Sequence, residues 1–175
     1  MTVSVFVGMS VDGFIARLDG TFDFLSTAGG EEPHGFEEFF ATIDTIVMGR
    51  NTFEVVAAFP SWPFDGKRVV ILSARGVDLA RVKAERLEQM SGEPAEIVAK
   101  LAASGSLHLY VDGGITVQRF LDAGMVDRLT ITRVPMLIGA GIPLFSAVPR
   151  DISLRHIATH TYRTGLVKSE YEVVK

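Results

Sequence analysis

Short unbroken apolar runs alternate along this chain with segments of helical period. Val3 to Val7 is rich in valine and closed by Gly8, with a turn cluster at Asp12-Gly13, which predicts a buried first strand. A polar, glycine-rich segment follows, Asp19 to Gly35, and then Phe36, Phe39 and Phe40 recur at i, i+3 and i+4 on one face of a short helix. Asp44 to Met48 predicts a second buried strand ending at Gly49-Arg50, and Thr52 to Phe59 a helix stopped by Pro60 and Pro63. Arg68 to Leu72 predicts a third strand, Glu93 to Ala103 a helix, and Leu107 to Val111 a fourth strand. That strand runs into Gly113-Gly114 and a helix whose buried face is Val117, Phe120 and Leu121, with Gly124 as its stop.

Strands that alternate with helices require crossover connections, so this part of the chain predicts a mostly parallel central sheet covered by helices on both faces. From Asp127 the helical period disappears. DRLTITRVPMLIG, Ile152 to Arg163 and Leu166 to Val174 predict strands joined at Gly139-Ala140-Gly141 and Thr164-Gly165, an antiparallel C-terminal part. No repeat, linker or low-complexity tract divides the 175 residues, so a single domain over residues 1–175 is expected.

Composition narrows the function classes. A net charge of -4 and a pI near 5.6 give no basic footprint for nucleic acid or an anionic membrane. The absence of cysteine removes disulfides, thiolate nucleophiles and Cys-ligated zinc, and fits a reducing cytoplasm. The opening MTVSVFVGMSVDG has no basic residue before its apolar run, which is far shorter than the ~20 residues of a membrane span. Neither a signal peptide nor an anchor is expected. His156 and His160 are four apart, but in a strand they stand about 13 Å from each other by rise per residue, so no metal site is expected.

Candidate chemistry gathers at three strand ends: Gly49-Arg50-Asn51-Thr52, Leu72-Ser73-Ala74-Arg75 and Asp112-Gly113-Gly114-Ile115-Thr116. In a parallel sheet these ends share one edge, beyond which ligands bind. Helix starts with unpaired N–H groups, together with two arginines, suit a ligand carrying several phosphates. The same residues also suit tight βα turns in which Thr52 and Thr116 act as helix caps. Ser10 is no nucleophile elbow, because Asp12 stands where G-x-S-x-G needs glycine. Trp62 reads as a loop anchor or as a pocket wall.

The blocks VFVGMSVDGFIA, TIVMGRNTFE, KRVVILSAR, LYVDGGITVQRFL and VDRLTITRVPMLIGAGIPLF occur in an order that resembles the dihydrofolate reductase-like superfamily. The resemblance is to the group related to the C-terminal reductase domain of bacterial riboflavin biosynthesis, and M-G-R-x-T-x-E with V-x-G-G-x-T carries it best. It implies a three-layer α/β fold with an antiparallel C-terminal hairpin, an NADPH-dependent oxidoreductase, a small-molecule substrate and a homodimer, the last also suggested by the apolar Met136 to Phe145 segment. It implies that Gly8 meets the nicotinamide amide, that Ile15 and Ala16 border the nicotinamide and its ribose, that Arg50, Thr52 and Gly113 to Thr116 bind phosphates, and that Ser73 and Arg75 lie at the adenosine 2′-phosphate. Asp12 and Glu37 are the candidate catalytic carboxylates; a turn-initiating role for Asp12 and a solvated one for Glu37 are the alternatives. The chain departs from the riboflavin reductases at Phe6, where they carry lysine, and at GRNTF, where they carry A-D-D-P. Three functions follow: hydride transfer to C=N or C=O of a small heterocyclic or carbonyl substrate, reduction of 5-amino-6-ribosylaminouracil phosphate, or nucleotide binding without turnover.

Overall fold

The computed structural model describes residues 1–29, 34–146 and 150–175. Its strands are β1 (Thr2–Ser10), β2 (Phe14–Ala16), β3 (Thr45–Gly49), β4 (Arg68–Leu72), β5 (Leu87–Met90), β6 (His108–Asp112), β7 (Arg128–Val134), β8 (Ile142–Pro143), β9 (Leu154–Thr161) and β10 (Val167–Val173). The helices are α1 (Asp23–Gly29), α2 (Phe36–Thr42), α3 (Arg50–Val56), α4 (Pro94–Ala103) and α5 (Gly114–Asp122). Eight strands form one sheet in the order β5-β4-β3-β6-β1-β7-β10-β9, and β2 pairs with β8 separately.

Side-chain alternation builds three layers. Val47, Val70, Leu109 and Val111 point to one face and pack with Ile97 and Leu101 of α4 and Val117 and Phe120 of α5. Their sequence neighbours Ile46, Met48, Val69, Ile71 and Tyr110 point to the other, against Phe53 and Val56 of α3 and Phe39 and Phe40 of α2. Strands buried on both faces read as continuous apolar runs, which is why they were legible in the sequence.

The structure shifts several expected boundaries. The antiparallel character expected from Asp127 begins one strand later: β7 lies parallel to β1, and β10 is antiparallel to both β7 and β9. The helix expected at Thr52 to Phe59 runs from Arg50 to Val56. Strand β5, with its charged and polar LEQM sequence, had no apolar signature because it is the sheet edge beside β4. Part of the polar Asp19 to Gly35 segment is helical, since Phe24 of α1 is buried against Val134 and Leu166; residues 30–33 of that segment lie outside the described residues. Gly124 follows α5 with φ 67°, as a C-terminal stop requires. Among the described residues no helix is long and apolar enough to cross a membrane.

Two carboxylates fasten the N-terminal ends of the parallel strands. Asp44 Oδ2 accepts from the amides of Leu107 and His108 at 2.8 Å each, tying β3 to β6. Asp127 Oδ2 accepts from Val3 N–H at 2.8 Å, tying β7 to β1. At the opposite edge the adjacent strands β3 and β6 send α3 and α5 to opposite faces. That is a topological switch point, where diverging loops leave a crevice.

Candidate functional site

The crevice is a cleft of about 1060 Å³, at the top of the size range of roughly 300–1,000 Å³ for a site holding one small ligand. Gly49, Arg50, Asn51 and Thr52 line it from the β3–α3 turn, and Asp112 to Thr116 line it from the β6–α5 turn. Gly8 of β1, Ile15 and Ala16 of β2, and Leu72 at the end of β4 complete this half. Ser73, Ala74 and Arg75 lie beyond the lining residues.

Glycines let the two turns approach each other. Gly113 has φ 89°, and a Cβ on it would run into Thr52 Oγ1. Reciprocally, a Cβ on Gly49 would stand 2.9 Å from Thr116 Oγ1. Each threonine thus packs over the other turn's glycine, and neither is the helix cap that the sequence offered: Gly49 and Gly113 hold the cap positions, with no side-chain cap bond, and Thr52 and Thr116 stand one turn inside. A Cβ on Gly114 would stand 3.0 Å from Ile15 Cδ1 and 3.2 Å from Pro143 O, so the β2–β8 pair lies directly over the start of α5. The N–H of Gly113 is already given to Asp112 Oδ1 at 2.8 Å. The first amides of α5, at Gly114, Ile115 and Thr116, are those that helix geometry leaves for an anionic ligand.

Arg75 is placed by groups remote in sequence. Gln89 of β5 donates from Nε2 to Ser73 O at 2.9 Å and Arg75 O at 2.8 Å, while its Oε1 accepts from Val77 N–H at 3.0 Å. Ser73 Oγ accepts from Arg75 N–H at 3.1 Å and donates to Arg75 O at 2.8 Å. This turn holds the exposed Arg75 beyond the end of β4. Arg50 pairs with Glu54 at 3.1 Å on the cleft rim.

The other half of the cleft is aromatic. Phe6, Phe22, Phe36 and Phe59 line it with Leu25 and Tyr110. Of the three phenylalanines that patterning put on one helix face, Phe39 and Phe40 pack on the core and Phe36 opens onto the cleft. Leu25 of α1 covers Gly8, its Cδ2 3.1 Å from where a Cβ would be. Tyr110, buried at 5% exposure, donates its hydroxyl proton to Phe6 O at 3.0 Å.

Asp112 is the ionisable group at the junction of the two halves, between Tyr110 and Gly113. Burial pushes its carboxyl above the ordinary value of 3.8, offset in part by the Gly113 N–H and the Tyr110 hydroxyl. Burial also raises the Tyr110 phenol well above its usual range, with the Asp112 charge adding to it. In the sequence Asp112 was visible only as part of a phosphate turn, because burial of its carboxyl depends on strands brought together from far along the chain.

The two expected catalytic carboxylates are not among the lining residues. Asp12 accepts from Gly139 N–H at 2.8 Å and Ile138 N–H at 3.2 Å, joining the β1–β2 turn to the loop after β7. The Ser10 hydroxyl, with these amides, holds its carboxyl below 3.8. Glu37 is exposed in the first turn of α2. Trp62 packs on Phe53 and Phe64, as a loop anchor would. His156 and His160 both lie on β9, and among the described residues no group of three or more His, Cys, Asp or Glu could hold a metal.

With this geometry established, comparison with known proteins places the fold. The RibD C-terminal domain family matches residues 1–168. The uncharacterized protein YwjB of Bacillus subtilis is 28% identical over 153 residues, covering 86% of each chain. The riboflavin biosynthesis protein RibD of Corynebacterium ammoniagenes is 27% identical over 161 residues, which are 82% of this chain and 46% of that protein. A crystal structure from Shewanella sp. PV-4, named provisionally for riboflavin biosynthesis, superposes with a TM-score of 0.93 at 32% identity over 100% of both chains. A dihydrofolate reductase from Enterococcus faecalis complexed with NADP(H) shares the fold at a TM-score of 0.69 and 16% identity, covering 99% of this chain and 97% of that one.

The glycine–threonine interlock is open to direct test. Gly113→Ala adds both the Thr52 collision and a left-handed strain of about 1–3 kcal/mol, so a clear fall in melting temperature is expected. Thr52→Ala should restore only part of that loss, because φ stays at 89°. Gly49→Ala, whose φ is -77°, should be rescued almost fully by Thr116→Ala. Equal rescue in the two pairs would contradict this account.

Proposed function

Since the chain belongs to the RibD C-terminal domain family, a family of reductase type, we propose that it is an NADPH-dependent reductase acting on a C=N or C=O group of a small heterocyclic or carbonyl substrate. The observation that supports this reading best is that Gly8, Ile15, Ala16 and the glycine-rich ends of β3 and β6 all line one cleft.

The residues present suit a dinucleotide. The α5 start and the backbone of Gly113 and Gly114, which a Cβ would crowd, would hold the pyrophosphate with Arg50 and Thr52. Arg75 would take the 2′-phosphate in a charge-assisted bond. Gly8 would meet the nicotinamide amide, with Ile15 and Ala16 alongside. When bound, the nicotinamide supplies the hydride. Leu25 and the phenylalanines exclude water from the acceptor. Asp112, whose carboxyl burial shifts toward the acid form between the phosphate turn and the aromatic half, would serve as the general acid.

We also propose a homodimer. All eight residues of β9 are exposed, Leu154 and Ile157 among them, so this edge strand has a free face in the single chain. The Met136 to Phe145 segment contributes less than its sequence suggested: Leu144 is fully buried and Ile142 and Pro143 pair with β2, leaving Met136, Leu137 and Phe145 exposed.

Titration by fluorescence should show NADPH binding tighter than NADH, and no NADPH binding would overturn the reading. Arg75→Ala should weaken NADPH about tenfold to hundredfold, the range of a charge-assisted hydrogen bond, and NADH far less. Binding without oxidation by any acceptor would leave a nucleotide-binding protein instead.

For Asp112, the rate of the chemical step should fall as pH rises through its raised pKa, because the acid form is lost. Asp112→Asn should remove that limb and slow the reaction by about 10²–10⁴-fold. The same variant should gain thermal stability relative to the parent at pH 8 but not at pH 3. An acid with a raised folded-state pKa stabilises the fold below its unfolded value of 3.8, and this contribution is lost as pH rises through the folded value. Light scattering at micromolar concentration should give twice the mass of one chain; a monomer there would remove the dimer.

A further inference from the structure

The aromatic half of the cleft presents a row of partly exposed apolar side chains to its opening. Phe22, Val55, Phe36 and Phe59 all line it, and each is between 37% and 39% exposed. Phe22, ahead of α1, and Phe59, after α3, meet across the mouth edge to face at 6.1 Å between ring centres. Phe6 lies stacked on Phe39 at 5.0 Å and edge-on to Phe36 at 5.5 Å, a flat wall braced from behind.

Charge in the cleft is equally one-sided. Its described acidic and basic lining side chains, apart from the Tyr110 phenol, are Asp19, Glu54, Asp112, Arg50 and Arg119. Arg50 is paired with Glu54, and Arg119 lies at Gly92 O and Glu93, at 3.2 and 3.5 Å. Both arginines belong to the phosphate half, one on each helix that flanks it. Lys168 of β10 reaches Gly35, next to Phe36, but it is paired with Glu170 at 3.3 Å and is not among the lining residues. An anionic substituent seated among the phenylalanines would lose its water and gain no counter-ion.

Resting on the reductase reading above, we infer that the acceptor is an uncharged, planar, conjugated carbonyl compound of the quinone class, held between the phenylalanine rings, and not a phosphorylated pyrimidine. The balance closes with the groups already named. Two electrons and one proton reach the quinone as hydride from the reduced nicotinamide. The second proton passes from Asp112 to the quinone oxygen and is replaced from solvent. The products are hydroquinone and oxidised nicotinamide.

The test uses the protein loaded with NADP+, titrated calorimetrically with naphthoquinone and with its sulfonated analogue; there is no cysteine in the chain for either to alkylate. Naphthoquinone is expected to bind at least about tenfold more tightly, the penalty for stranding one charge in an apolar site. It should also be reduced when NADPH replaces NADP+. Phe59→Ala, at the exposed rim, should weaken naphthoquinone severalfold, and Phe6→Lys should move the preference toward the sulfonate. Equal or tighter sulfonate binding, or no naphthoquinone binding to the NADP+-loaded protein, overturns the inference and leaves the nicotinamide reading standing. Failure to bind NADP+ overturns both.

Discussion

The structure turns on the close approach of two strand–helix turns at the switch point of the sheet. α3 and α5 leave adjacent strands toward opposite faces, so their first residues would collide unless one partner at each contact lacked a side chain. Gly113 under Thr52 and Gly49 under Thr116 meet that requirement from both directions. Gly114 then admits the β2–β8 pair over the start of α5. Backbone amides can converge on a ligand here because the side chains that would fill the space are missing.

The carboxylates at the ends of the parallel strands are of two electrostatic kinds. At the N-terminal ends, Asp44 and Asp127 are satisfied by backbone amides and lock neighbouring strands together. For Asp44, burial works against the charge, but the Thr45 hydroxyl and the His108 and Leu107 amides outweigh it and hold the carboxyl below 3.8. At the C-terminal ends, Asp112 is shifted the other way by burial, a cost to stability that a catalytic proton would justify. Asp12, past the C-terminal end of β1, is likewise held by backbone amides, so the contrast is between these three structural carboxylates and Asp112.

Local patterning revealed the glycine turns and the layers because each depends on residues close in sequence. Gly113-Gly114 following an apolar strand announces a turn that needs freedom of φ and space. The continuous run in Arg68 to Leu72 announces a strand buried on both faces. Asp12 was misleading for the same reason: aspartate before glycine looks alike whether it caps a loop or faces a substrate, and here it binds the amides of Ile138 and Gly139, more than 120 residues away. Gln89 was invisible, since nothing in LEQM shows that its side chain fixes the turn carrying Arg75.

The sequence by itself determined the three-layer α/β architecture and the glycine-rich turns after β3 and β6 that line one half of the cleft, because period, turn chemistry and glycine placement are local constraints. Only the tertiary structure decided the other half. Phe6, Phe22, Phe36 and Phe59 come from four separate segments, and a phenylalanine carries no local mark of whether it will fill a core or face a cleft. The same holds for Asp112, whose raised carboxyl pKa arises from burial among groups that folding brings around it.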